Sequence, residues 1–126
     1  MPKVSESEKY NESPNIQGAI GYWMYNVQED ILQLSDGIKH VLGLDKCTSC
    51  AFSSFKSLIV VADLQRFVQG FNEWINGDTT KIIQVRIIDD SGNIRLIQIK
   101  GHLRSDIRNN EIVLYGAYID ISYWTN

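Results

Sequence analysis

Two cysteines, Cys47 and Cys50, stand three positions apart as Cys-Thr-Ser-Cys, the spacing used by redox pairs and zinc sites. A thioredoxin-like pair needs that motif after a strand and at a helix N-terminus, where the helix lowers the thiol pKa. Here it follows a short helical segment and the Gly43-Leu44 turn, so the context is wrong. A structural zinc needs four ligands; His40 could supply a third, and a fourth is not evident. The pair therefore reads as ordinary loop cysteines. Acid–base chemistry fares no better. Asp120 and Tyr118 can share one strand face, but no histidine and no second carboxylate joins them, so no catalytic residues are assigned. Three rings with polar handles remain, Trp23, Tyr25 and Tyr118. They could orient a small ligand, or they could fill a core.

Composition narrows the classes. The chain has 126 residues, 44% hydrophobic and 21% charged, which suits one globular domain with a real core. A net charge of −3 gives no basic patch of the kind nucleic acid needs. No apolar run approaches the ~20 residues of a membrane span. The N-terminus lacks an apolar signal core, and the chain is expected to be cytoplasmic.

The elements that must position the rings follow from periodicity. Ser5 and Glu8 have capping-box spacing, so residues 1–17 read as an N-terminal helix or a flexible segment. Gly21–Val27 and Ile31–Leu34 read as a hairpin. Ser35 or Asp36 caps a short helix carrying Ile38, Val41 and Leu42, which Gly43 ends. Phe52, Phe55 and Leu58 have helical spacing. Asp63 opens and caps the clearest helix, with Leu64, Phe67, Val68, Phe71 and Ile75 on one stripe. Thr80–Ile88 and Ile94–Arg104 are strands about the Asp89–Asn93 loop. Glu111–Ser122 is apolar without alternation until Asp120, the mark of a strand covered on both faces. The class is α+β, with the helices between two short strands and three long ones.

This order, with particular residues at its joints, resembles the PAS fold, the sensory-box variety of bacterial sensor kinases and diguanylate cyclases. Gly21-Tyr-Trp-Met-Tyr-Asn26 is similar to the family's Gly-x-Trp-x-x-Asp strand, with Asn26 in place of Asp. Ser35-Asp36 and Val41-Leu-Gly-Leu44 are similar to its first helix and turn. Asp63 sits where His-Pro-x-Asp is usual, though Val60-Val-Ala62 departs from that pattern. Val85-Arg-Ile87 with Asp90-Ser-Gly92 resembles its Tyr-Arg hairpin, and Gly116–Ser122 its closing Gly-x-x-x-Asp-Ile-Thr, with Ser122 in place of Thr.

The resemblance implies a five-stranded antiparallel sheet in order 2-1-5-4-3, helices over one face, spanning 18–122, with 123–126 starting an exit linker. It implies a non-catalytic sensory or dimerisation module of a histidine kinase or cyclic-di-GMP enzyme. The expected cavity is lined by Trp23, Tyr25, Leu42, Phe55, Phe67, Phe71, Val85, Ile97, Ile99 and Tyr118. The flavin branch's Asn-Cys-Arg-Phe-Leu-Gln stretch is missing, and no histidine lies between Asp63 and Asn76 for haem. Neither cofactor is expected; a small unknown ligand is compatible. Tyr22, Met24, Leu96, Tyr115, Ala117 and Ile119 are expected on the opposite face as a homodimer surface. Asp120 and Ser122 are expected to carry the signal to an effector domain further along. The alternatives are an interaction domain with a filled core, and a small α+β pocket enzyme.

Overall fold

The computed structural model describes residues 20–45, 50–106 and 110–124. The N-terminal helix or segment, Cys47 and residues 125–126 lie outside them. Strand β1 (Ile20–Asn26) and strand β2 (Ile31–Leu34) form the first hairpin. Helices α1 (Asp36–Leu42), α2 (Phe52–Lys56) and α3 (Val61–Ile75) follow. Strands β3 (Ile83–Ile88), β4 (Ile94–Asp106) and β5 (Glu111–Asp120) end in a 3-10 turn, Ile121–Trp124.

All five strands form one antiparallel sheet in order β2-β1-β5-β4-β3, the order the sequence led us to expect. The apolar β5 is its middle strand, paired along its length with β1 and β4. Alternation sets the faces. Trp23 and Tyr25 are buried while Tyr22 and Met24 between them are exposed. Ile83, Val85 and Ile87 of β3 are buried on the same side.

Each edge strand is partly closed by the segment that leads into a helix. The Leu32 N–H donates to the Cys50 carbonyl at 2.6 Å and the Cys50 N–H returns to Leu32 at 3.0 Å, just ahead of α2. On the other edge, Ile59 bridges Ile87, and the Val60 N–H reaches the Arg86 carbonyl at 2.9 Å, just ahead of α3. These bridges leave less open edge for another chain to pair with.

The second bridge explains where α3 begins. The helix starts at Val61, two residues before the expected Asp63, because Val60 is extended and bound to β3. Asp63 then falls inside the first turn. Its carboxylate accepts from the Arg86 N–H, Nε and Nη2 at 2.8, 2.9 and 2.8 Å rather than capping its own helix. The Arg86 guanidinium holds that carboxyl far below the usual range, against the upward push of burial. Ser35 likewise precedes α1 without a side-chain cap. Its Oγ accepts from the Tyr22 N–H at 3.1 Å instead.

The core packs two indoles against a pair of glycines. Gly116 and Gly101 face each other across β5 and β4. A Cβ on Gly101 would stand 2.7 Å from the Trp74 ring, and one on Gly116 would stand 1.9 Å from the Lys100 carbonyl. The bare backbone there lets Trp74 lie on the sheet, 5.7 Å from Trp23 with the rings stacked at 18°.

Candidate functional site

A cavity of about 40 Å³ lies between the sheet and the helices. Of the residues expected to line it, the sheet supplies Trp23, Ile97, Ile99 and Tyr118, and the helices supply Phe55, Phe67 and Phe71. Three expected residues do not line it. Tyr25, Leu42 and Val85 are buried in the same core but face other side chains. Tyr25 turns its hydroxyl to the Asp30 carboxylate at 2.7 Å, and burial first, then Asp30, pushes that hydroxyl's pKa up. The same Asp30 oxygen accepts from the Phe52 N–H at 3.0 Å. One carboxylate thus ties the β1–β2 turn to the start of α2.

Sequence reasoning missed several lining residues. Phe52 is the most central, with its ring 4.4 Å from Phe71 and 5.5 Å from Phe67. Trp74, 1% exposed, is another. Leu32 and Leu34 are two more, while Ile38 and Ile87, which the sequence pattern already turned inward, complete the wall. Trp74 could have been found by starting the helical stripe at Asp63. Asp63, Phe67, Phe71 and Trp74 all lie buried on one face, at i, i+4, i+8 and i+11.

The ring handles are engaged by the protein. The Trp23 Nε1–H donates to the Ala117 carbonyl at 3.3 Å, and the Trp74 Nε1–H to that of Lys81 at 3.1 Å. The Tyr118 hydroxyl and the Ser35 Oγ share a hydrogen bond of 3.1 Å, beside the start of α1. Burial raises the Tyr118 pKa, opposed by its bonds to Ser35 and the Ile38 amide. Tyr118 crosses over Gly21, where a Cβ would collide with its hydroxyl. The lining itself presents carbon alone.

At the end of β5 stands a second cluster, held by Arg95. Its Nη1 donates to Asp120 Oδ2 at 2.8 Å and its Nε to Asp89 Oδ2 at 2.7 Å. Both carboxylates are buried. The second Asp89 oxygen accepts from the amides of Ser91 and Asn93, each at 2.9 Å. Burial pushes the Asp89 carboxyl up, and Arg95 with those two amides outweighs it, so its pKa lies below the usual value. Asp120 Oδ1 accepts from the Ser122 N–H at 2.9 Å. The Ser122 Oγ accepts from the Leu96 N–H at 2.7 Å, tying the exit back to β4. Asp120 therefore does not line the cavity, and the pairing with Tyr118 that an acid–base enzyme would need is not formed there.

The opposite sheet face divides in two. Tyr22, 72% exposed, with Met24 and Tyr115 forms an apolar patch over β1 and β5. Ala117 and Ile119 are half-buried beside it, and Leu96 is half-buried on β4. Over β4 the same face is polar, with Gln98, Lys100 and His102 opposite Ile119, Ala117 and Tyr115. The His102 ring lies 5.5 Å from that of Tyr115. His40 is exposed, with its Nδ1 3.0 Å from Asp45. Cys50 is disulfide-bonded, so the ordinary loop cysteine expected there is corrected to a half-cystine. Among the described residues, no three His, Cys, Asp or Glu side chains group as a metal site, and no helix is long and apolar enough to cross a membrane.

No protein-family model and no curated protein sequence matches the chain. Solved structures do. A sensory box histidine kinase/response regulator from Burkholderia thailandensis superposes with a TM-score of 0.68 at 20% identity, over 86% of this chain and 82% of that one. The N-terminal domain of a diguanylate cyclase with PAS/PAC sensor from Marinobacter aquaeolei gives 0.72 at 17% identity, over 85% and 99%. A domain of a light and redox sensing histidine kinase, so described, from Haloarcula marismortui gives 0.67 at 13% identity, over 93% and 98%. At these identities the likeness is one of architecture, and what this chain shares with them is the PAS fold.

Proposed function

We propose that the chain is a non-catalytic PAS sensory and dimerisation module of a cytoplasmic signal-transduction protein. A ligand or partner shifts the packing of the sheet, and Asp120-Ile121-Ser122 passes the shift to an effector domain that follows. The observation that carries this reading is the Arg95 cluster. One residue separates Tyr118 at the cavity from Asp120, and Asp120 is bound at once to the backbone of the exit and to Arg95 of β4, which also holds Asp89 of the β3–β4 loop. The effector classes named for the structural neighbours, a histidine kinase and a diguanylate cyclase, are the ones we favour.

The module works as a homodimer in this reading, through the patch of Tyr22, Met24 and Tyr115, with Ala117, Ile119 and Leu96 at its rim. The small size of the cavity favours one second reading, an interaction domain whose core simply fills.

The test is a chimera in which residues 1–126 replace the PAS domain of a histidine kinase whose autophosphorylation is measured. Asp120→Asn and Ser122→Ala should each change basal output while the chimera stays folded and dimeric. Output unmoved by both variants would refute the exit as a signal joint.

A further inference from the structure

The cavity is the site whose chemistry is most completely specified. Its wall includes three rings that carry a donor, and each donor is used elsewhere. Trp23 serves Ala117 at 3.3 Å, Trp74 serves Lys81 at 3.1 Å and Tyr118 is bonded to Ser35 at 3.1 Å. Tyr25, whose hydroxyl could have been a fourth, is out of the wall and held by Asp30. Asp120, the nearest buried carboxylate along β5, is paired with Arg95. What faces the space is the carbon of aromatic and branched aliphatic side chains.

We propose that this cavity takes a small, uncharged, apolar molecule of a few heavy atoms, an apolar gas or a hydrocarbon fragment, and rejects ligands that need hydrogen bonds from the protein. The proposal rests on the sensory reading above and names the class of signal it would receive. Size sets the upper bound. The cavity's 40 Å³ is roughly three times the ~10–15 Å³ that one water requires. A water would also need two to four polar partners, and the wall offers none, so the space suits water poorly. A polar guest would meet the same deficit. Burying one hydroxyl or amide without a partner costs roughly ten- to a hundredfold in affinity. An apolar guest loses nothing on entry and gains dispersion contacts with a wall that is otherwise short of them.

The wall also supplies its own reporters. Trp23 and Trp74 stack there, and Ile97 and Ile99, which carry methyl groups, line the same space. The experiment is methyl and indole NMR on the 126-residue chain, with xenon and cyclopropane as apolar probes. Formamide and acetate serve as polar probes of similar size. Saturable shifts confined to Trp23, Trp74, Ile97 and Ile99 are expected from xenon and cyclopropane, with formamide at least tenfold weaker and acetate silent. Leu34→Trp should abolish the shifts by filling the space from a half-buried position, where overpacking strain is low. If that variant does not fold, Phe67→Leu, which enlarges the cavity, should instead admit benzene. Formamide binding as well as cyclopropane, or no saturable shift from either apolar probe, overturns the proposal. The two readings fail separately. Missing xenon binding with an exit-sensitive chimera removes the ligand class alone, and the converse removes the output role alone.

Discussion

Replacing Arg95 with Met keeps an unbranched apolar stem and removes the guanidinium with its charge. Two carboxylates lose their guanidinium together. Their side chains are 3% and 2% exposed, and Arg95 itself is 20% exposed. Stranding one partner of a buried ion pair costs about 3–5 kcal/mol. The low end applies here, because Asp89 keeps the amides of Ser91 and Asn93 and Asp120 keeps that of Ser122. We expect Arg95→Met to lose about 3 kcal/mol in urea unfolding followed by tryptophan fluorescence at pH 7. Against a total of ~5–15 kcal/mol, that is a large share. Asp120→Asn in the same background removes one stranded charge, so the double variant should be more stable than the sum of the singles predicts, by about 1–3 kcal/mol. The pH dependence has a definite sign. The folded pKa of Asp89 is depressed, so its contribution is present above the unfolded value of ~3.9 and is lost as pH falls through the lower folded value. The gap between wild type and Arg95→Met should therefore narrow below about pH 4. A loss under about 1 kcal/mol, or a strictly additive cycle, would show that the cluster does not act as a unit.

Gly116→Ala puts a Cβ against the Lys100 backbone and should cost about 3 kcal/mol, more than Gly101→Ala, whose new Cβ meets a Trp74 ring that can shift. The reverse order of urea midpoints would contradict the account of the indole platform. Asp63→Asn should destabilise at pH 7 and by a clearly smaller margin near pH 2, since the gain from the depressed Asp63 pKa is full above ~pH 4 and shrinks as pH falls toward the lower folded value. An equal loss at both pH values would mean that shape, not charge, sets its role. Tyr22→Glu, at the most exposed of the apolar patch residues, should convert the proposed dimer to monomer in light scattering without lowering the urea midpoint. Unchanged dimer mass would place the interface elsewhere.

How much was legible in the sequence depended on whether a residue's neighbours were local. The unbroken apolar run of β5 announced a central strand, and β1–β5–β4 pairing places it there. Alternation separated Trp23 from Tyr22 because period 2 is intrinsic to a strand. The errors came where a charge was buried. A stripe of apolar residues through α3 excludes Asp63 and picks Leu64 and Ile75, which turns the predicted face by one residue and hides Trp74. Asp63 occupies that inward position only because Arg86, on a strand 23 positions later, satisfies it. Arg95 was overlooked for the same reason, since its partners are 6 and 25 residues away in opposite directions along the chain. Residue type gives no sign of such a pairing. The cavity's lining was legible in class rather than in membership, because Leu42 and Val85 differ from Ile38 and Ile87 only in where the helices settle.

That geometry bears on how a ligand without polar contacts could be sensed at all. Such a molecule has no charge to move and no hydrogen bond to remake, so it can act only by volume. Under the proposed sensing role, the register offers volume a route to the exit. Ile97, in the cavity wall, pairs directly with Asp120, and Ile99 pairs with Tyr118. A guest that displaces either isoleucine displaces the strand pair on which the exit hangs. Arg95 lies two residues from Ile97 on the same strand and, in the proposed reading, carries the displacement to the Asp89 loop it is bonded to. No chain of intermediates is required, because wall and exit are adjacent rungs of one ladder. The coupling should therefore scale with guest size and be lost when Arg95 is replaced, even with binding intact. A guest that binds in Arg95→Met and still moves the Ser122 amide resonance as in the wild type would break that link.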